Sequence, residues 1–395
     1  MRGGYEVKIA ILGGGAAGIS SAIALKQKGF DVSIYERNET ATNIGAGIVV
    51  WPNAAYVLEQ LGMLNMVKAV SGYPSKMHRL TSANESLGTL DIELINKHMG
   101  FPSLSILRSG FHEILISKLE SLGVSILYGH KAINIETNNN NQVEVHFETG
   151  LKITADVLVG ADGRMASVAR RYVYGGNKPV YQNFINWIGV FESAHDFFEE
   201  IAVLDYWGVG ERFGIVPINK RKAYWAGGIA CSAIGLKNPK EYKHELAAVF
   251  SHWPQPVQRM IQHTPIERIN KIYVHDHNPI STWHKHNLIV IGDAAHAALP
   301  TSGQGVCQAL EDAWHLANCL EENPGDLPRA LVKFTEIRFE KTAGIIRAAR
   351  GFAAMLFNCD EKFCSARNTN SRSTDYAKVA AAMANGWGQH LPLNA

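Results

Sequence analysis

A mixed α/β (α+β) fold is predicted by three features of the 395-residue sequence. Residues 6–36 read as strand, glycine-rich turn, helix, strand. Residues 173–274 alternate apolar and polar residues in short, aromatic-rich runs, the pattern of a mostly antiparallel sheet. From Gln304 onward helical patterns dominate to the C-terminus. The length exceeds one small core and suits two packed domains.

The elements follow in order. Residues 7–12 form an apolar run that ends in glycines, which marks a buried strand and not a signal peptide. Residues 16–28 are rich in Ala, Ile, Leu and Lys and suit a helix, and Gly29 closes it. Residues 32–35 are β-branched and aromatic, so a βαβ unit opens the chain. Short strand-like runs follow at 124–127, 132–136, 143–147 and 152–154, with the four asparagines 138–141 as a loop tip. Residues 157–159 form a buried strand running into Gly160. In the middle region helices are predicted at 240–251 and 257–262, and residues 288–291 form another buried strand. No internal repeat is present.

Composition excludes several function classes. The chain is 46% apolar, 19% charged and 9% aromatic, with a formal net charge of +2. Lysines and arginines are scattered, which argues against a nucleic-acid surface. No run approaches the roughly 20 apolar residues of a membrane span. Cys231, Cys307, Cys319, Cys359 and Cys364 show no metal-type spacing, and free thiols in a reducing cytoplasm are expected. His275, His277, His284 and His286 match no standard metal site, so no metal is expected.

Chemistry enters at Gly13-Gly14-Gly15-Ala16-Ala17-Gly18. Gly13, Gly15 and Gly18 fill the places of G-x-G-x-x-G: a tight turn, close approach of a pyrophosphate, and helix-on-strand packing. The helix N-terminus offers free N–H groups to phosphate. Glu36 ends the second strand, where its carboxylate can accept both ribose hydroxyls of an adenosine. This unit predicts a Rossmann-like dinucleotide site but does not separate FAD from NAD. A downstream segment does. Asp293 follows a buried strand, where a carboxylate can accept ribityl hydroxyls. Gly303 and Gly305 precede a helix whose N–H groups can stabilise negative charge at flavin N1 and O2.

Three separated motifs now carry a family resemblance: residues 13–18, Val159-Gly160-Ala161-Asp162-Gly163, and Gly292-Asp293 with Pro300 and Gly303 to Gly305. Gly45-Ala46-Gly47-Ile48 with Pro52-Asn53, and Leu107-Arg108, agree. The sequence resembles the FAD-dependent class A aromatic monooxygenases, whose members include salicylate, 6-hydroxynicotinate and urate hydroxylases, from residue 7 to about 350. The urate hydroxylase pattern is the most similar. The resemblance implies FAD contacts at Gly13, Gly15, Ala16, Ala17, Gly18, Glu36, Arg37, Gly47, Ile48, Arg108, Asp162, Asp293, Pro300, Gly303, Gly305 and Val306. It implies a discontinuous FAD-binding domain (1–72, 101–172 and 275–350), a substrate domain (73–100 and 173–274) and a C-terminal helical segment (351–395). NADH or NADPH would reduce the flavin, and O2 would add at C4a to give the hydroperoxide that hydroxylates an electron-rich ring. One departure stands out. The family reads Asp-Gly-x-x-Ser-x-x-Arg, but here Ala166 and Ala169 hold the Ser and Arg places, with Ser167 and Arg170 each one residue late. Either the helix start is shifted or the roles have moved.

For the substrate, the resemblance points to Arg212 and Tyr224 as the catalytic pair. Arg212 would hold an anionic oxygen and Tyr224 would hydrogen-bond the ring. Plainer readings stand beside these: Arg212 as a salt-bridged strand residue, Tyr224 as a core aromatic, His296 as packing, and Trp207 and Trp225 as packing. The expected partner is a small aromatic or heteroaromatic molecule, with no nucleic acid and no membrane; the oligomeric state is open. A flavin-dependent epoxidase or reductase acting on an apolar substrate, and a non-catalytic FAD-binding protein, remain as alternatives.

Overall fold

The computed structural model describes residues 7–41 and 46–393. Gly45 of the predicted 45–48 motif lies outside the described residues.

Strand Lys8–Leu12 lies at the centre of a six-stranded sheet. On one side it pairs in parallel with Asp31–Tyr35, which pairs with Ile126–Leu127. On the other it pairs with Val157–Gly160, then Leu288–Val290, then antiparallel with the edge strand His284–Lys285. The strands buried on both faces are the near-continuous apolar runs, as a parallel sheet under helices requires. Helices Ala16–Gln27 and Gly305–Glu322 pack together on one face. The predicted strand at 124–127 shortens because Val124 N–H still closes the preceding helix on Leu119 O, at 3.3 Å.

Strands Ala132–Thr137, Val143–Phe147 and Lys152–Ala155 form a three-stranded antiparallel sheet. Asn141, at its loop tip, takes the left-handed conformation with φ 59°.

The middle region forms a seven-stranded sheet in the order Ile269–Asp276, Val180–Glu192, Lys222–Ala230, Glu211–Asn219, Val203–Trp207, Lys76–Thr81, Ser86–Asp91. It is antiparallel apart from the pair Val203–Trp207 with Lys76–Thr81. One face buries Trp187, Phe213 and Trp225 beneath helices Tyr242–Phe250 and Gln255–His263. The helix predicted from 240 starts at Tyr242, because Asn238 caps a 3₁₀ turn at Pro239–Glu241 first. Trp207 packs in a smaller cluster with Leu87 and Leu356. The packing roles expected of Trp207 and Trp225 are therefore met.

Strands Gly47–Val50 and Leu104–Leu107 form a two-stranded ladder. Helices Leu327–Leu356, Glu361–Arg372 and Tyr376–Gly388 complete the chain. No helix among the described residues is long and apolar enough to cross a membrane. The five cysteines are free.

Candidate active site

A cleft of about 420 Å³ opens beyond the C-terminal ends of strands Lys8–Leu12 and Asp31–Tyr35, where open α/β sheets bind ligands. The glycine loop forms its floor. A Cβ on Gly13, at φ +111°, would lie 2.3 Å from Ala161 O, and one on Gly18 would lie 1.9 Å from Gly13 O. A Cβ on Gly15 would meet nothing within 4 Å, so this glycine leaves room for a ligand. Helix Ala16–Gln27 has no side-chain cap among the described residues and no acid in its first turn, so the N–H groups of its first turn are open to a ligand. Glu36 accepts from Gly14 N at 2.6 Å and from Asn38 N at 2.9 Å, which fixes the loop against the second strand.

Of the predicted cofactor residues, Gly13, Gly15, Ala16, Glu36, Arg37, Ile48, Arg108, Asp162 and Val306 line this cleft. Lys131, Arg171, His112 and His130 line it too and were not predicted. His112 was legible in principle, four residues after Arg108 and thus on the same helix face; its Nε2 lies 3.0 Å from Gly14 O. Lys131, Arg171 and His130 carry no local signal.

The departure after Asp162 resolves into a shifted helix start. Ser167 caps helix Val168–Tyr174, and its Oγ donates to Asp162 Oδ1 at 2.5 Å while accepting from Arg170 N at 2.8 Å. Asp162 Oδ2 accepts from Val168 N at 2.6 Å. Burial pushes the Asp162 carboxyl up, against the hydrogen bonds from Ser167 and the helix N–H groups. Arg170 is buried and donates to the carbonyls of Ala294 and Ala295 at 2.8 and 3.0 Å. The Ser-x-x-Arg spacing is thus kept, one residue later. Ala169 packs against Gly160, where a Cβ would lie 2.2 Å from the Cβ of Ala169.

The second predicted segment meets the first and reaches the cleft at Val306. Gly292, at φ +54°, donates to Asp312 Oδ2 at 2.8 Å. A Cβ there would lie 2.7 Å from the Cβ of Ala17, which joins the two nucleotide motifs by direct contact. Pro300–Ser302 makes a 3₁₀ turn, Gly303 takes φ +62°, and Gly305 opens a helix without a side-chain cap or an acid in its first turn. Its second residue, Val306, reaches the cleft. Asp293 pairs with Arg164 at 2.8 Å. Ala17, Gly18, Gly47, Asp293, Pro300, Gly303 and Gly305, also predicted, are not among the residues that line this cleft.

Behind this segment lies a buried ionic network that sequence reasoning missed. Arg338 donates to Asp312 Oδ1 at 2.8 Å and to Glu311 Oε2 at 2.5 Å. Lys341 reaches Glu311 at 2.8 Å and the carbonyls of Trp387 and Gln389 at 2.6 and 2.9 Å. His296 Nε2 lies 2.6 Å from Asp312 Oδ2. Burial alone would raise the Asp312 carboxyl, but His296 and Arg338 bring it down to about 2. Burial lowers the Lys341 ammonium to about 8 despite Glu311. Asn53 donates to Gln304 Oε1 at 3.0 Å and Glu311 Oε1 at 2.7 Å, which ties the Pro52-Asn53 motif to the same segment.

Arg212 and Tyr224 share one face of the seven-stranded sheet, because Arg212 pairs with Gly228 and Val216 with Tyr224. Between them stands Gly214, in register with Asp205 and Ala226, and a Cβ there would meet nothing within 4 Å. A small residue in a central strand thus leaves open space between a cation and a phenol. Arg212 donates through Nε to buried Asp205 at 2.7 Å, and Trp207 Nε1 holds the other Asp205 oxygen at 2.9 Å. Among the described residues no protein acceptor meets the Arg212 Nη groups. The Tyr224 ring lies on the Gly47 backbone, where a Cβ would be 2.0 Å from it. Burial, then the neighbouring Cys307 thiol, push its hydroxyl above the ordinary phenol range. Arg212 is therefore salt-bridged through Nε, on the sheet face that carries Gly214 and Tyr224.

The residues fit FAD: an open glycine floor, two uncapped helix N-termini, and cations along the rim. A model of the FAD binding domain family matches residues 6–325. Among curated proteins, an aurachin C monooxygenase/isomerase from Stigmatella aurantiaca is 30% identical over 86% of this chain and 87% of its own length. A FAD-dependent urate hydroxylase from Mycolicibacterium vanbaalenii is 29% identical over 87% of each chain. The solved structure of Klebsiella pneumoniae HpxO complexed with FAD and uric acid superposes with a TM-score of 0.89 at 24% identity, covering 96% of both chains. With its family model covering most of the chain, a relative at 30% identity and the fold shared throughout, this protein belongs to the FAD binding domain family of class A flavin-dependent monooxygenases.

Proposed function

We propose that the protein hydroxylates a small planar aromatic or N-heteroaromatic substrate, consuming NADH or NADPH and O2. Bound FAD supplies the electron transfer and the oxygen activation. The chain supplies the rest. The glycine loop and the helix starting at Ala16 would hold the diphosphate, with Glu36 and Arg37 toward the adenosine end and Arg108 along the chain of the cofactor. The helix starting at Gly305 would place its N–H groups at the flavin ring.

The observation that carries the reading is the open space over Gly214, bounded by Arg212 and Tyr224. A planar ring fits against a glycine floor. Arg212 offers two Nη groups to an anionic substituent, in the fork geometry that suits a carboxylate or oxyanion. Tyr224 stays protonated and donates to a ring heteroatom. Gly47 lets the Tyr224 ring sit flush between the two ladders and helps exclude water, which protects activated oxygen from loss.

The test is a panel of urate, salicylate and 6-hydroxynicotinate with purified yellow protein, following NADH and NADPH oxidation together with hydrogen peroxide. At least one compound is expected to accelerate cofactor oxidation with little peroxide. A protein that takes up no FAD, or that no aromatic compound stimulates, contradicts the proposal.

A further inference from the structure

Three successive glycines, Gly13, Gly14 and Gly15, line the cleft and make two peptides with no Cβ on either side. Such a peptide flips readily. Turning the Gly14–Gly15 peptide over would carry φ of Gly15 from −85° to a positive value, which glycine takes without strain. The two orientations differ for an anion. One offers the Gly15 N–H to the ligand. The other offers the Gly14 carbonyl oxygen, which is an acceptor only and repels a diphosphate.

Two side chains from outside the loop hold these peptides. The Gly13–Gly14 peptide is held by its N–H, which donates to Glu36 Oε2 at 2.6 Å. The Gly14–Gly15 peptide is held from the opposite end: Gly14 O lies 3.0 Å from His112 Nε2. A carbonyl oxygen cannot donate, so Nε2 carries the hydrogen. Both the neutral ring with that tautomer and the imidazolium make this bond. His112 is itself well placed to hold a loop. It stands in helix Arg108–Ser121 between Phe111 and Leu115, which are buried in the core and fix the helix against rotation. In a trans peptide the C=O and N–H point in opposite directions. With the Gly14 oxygen drawn to His112, the Gly15 N–H points away from it, and among the described residues it meets no backbone acceptor.

We propose that His112 is a positioning residue for the cofactor: it holds the Gly14–Gly15 peptide in the orientation that presents the Gly15 N–H to the diphosphate of FAD and turns the Gly14 oxygen aside. The inference rests on the reading of the glycine loop as the diphosphate site. It adds a residue from a different element that sets which way the loop's dipole faces.

The test titrates FAD-free full-length protein with FAD and follows flavin fluorescence. His112→Phe keeps a ring of similar size and removes the donor; it should weaken FAD binding about tenfold, the upper scale of one hydrogen bond. His112→Gln, whose amide N–H reaches about as far as Nε2, should stay within about threefold of the wild type. The two phosphorus-31 resonances of bound FAD should move in His112→Phe and return in His112→Gln, with the melting midpoint of the FAD-free protein unchanged in both. Wild-type affinity in His112→Phe overturns the inference. So does a glutamine variant as weak as the phenylalanine one, or unmoved phosphorus resonances. Weakened binding matched by a lower melting midpoint without FAD assigns His112 a structural role and overturns it too. Gly15→Val tests the reading beneath. A Cβ at Gly15 meets nothing within 4 Å, so the fold accepts the side chain, which occupies the ligand's space. Gly15→Val should prevent FAD binding. If it binds FAD normally, the loop is not the diphosphate site; if it loses FAD while both His112 variants bind as the wild type does, only the role of His112 falls.

Discussion

Arg212 is held by one nitrogen, and among the described residues its other two meet no protein acceptor. Its Nε is fixed on Asp205, which Trp207 fixes in turn, so the guanidinium is aimed before any ligand arrives. Arg212→Ala should weaken substrate binding at least about tenfold, the scale of lost charge-assisted hydrogen bonds, and leave flavin content unchanged. Equal loss of both would assign it a structural role. Asp205→Asn keeps the shape and removes the charge that orients Arg212; it should raise KM several-fold with a smaller change in kcat. Arg212 and Tyr224 stand out in the sequence because family motifs surround them. Asp205 does not. Its strand pairs with that of Arg212 in a register that no local pattern states, and a lone aspartate between aromatics reads as nothing in particular.

At the level of elements, most strands and helices were legible from periodicity and glycine placement, and their ends moved where capping intervened. The helix after Asp162 shows why spacing alone left two options. The loop carries one extra residue, so the serine cap and the buried arginine slide together. Ser167→Ala removes both the cap and the bond to Asp162, and should lower stability by about 1 kcal/mol, read as a shift in urea midpoint; an unchanged midpoint contradicts the cap. Helix Gly305–Glu322 holds a second consequence. His315 is buried with Nε2 unpartnered, and burial first, then Arg338 and Lys341, push it down to about 2. The unfolded chain takes up a proton below about pH 6.5, while the folded one resists it. Stability is therefore lost as pH falls through that range, by up to about 1.4 kcal/mol per pH unit. His315→Leu should flatten the fall in urea midpoint between pH 6.5 and 5; parallel curves for the two proteins would refute this.

Across the whole molecule, Arg338, Glu311, Asp312 and Lys341 bind the long C-terminal helix to the segment that carries Gly292 and Gly305. Nothing in the sequence announces this network. Its members are ordinary charged residues on helices, and the contacts span Asn53 to Gln389. Arg338→Leu removes the one cation that two buried carboxylates share and should cost about 3–5 kcal/mol of stability, with early loss of FAD on warming; a melting curve like that of the wild type would contradict it. The nucleotide motifs, by contrast, were legible because close backbone approach admits only glycine at Gly13 and Gly18.

The central claim is that FAD at the glycine-floored cleft serves a ring bound over Gly214. The most direct test is substrate-stimulated oxidation of NADH or NADPH by the FAD-loaded protein, with hydroxylated product measured against hydrogen peroxide. A compound that raises the rate and yields hydroxylated product in near-equal amount to cofactor oxidised, with the effect lost in Arg212→Ala, is the predicted result. Full FAD loading with no stimulation by any aromatic compound, or stimulation that Arg212→Ala leaves intact, would contradict it.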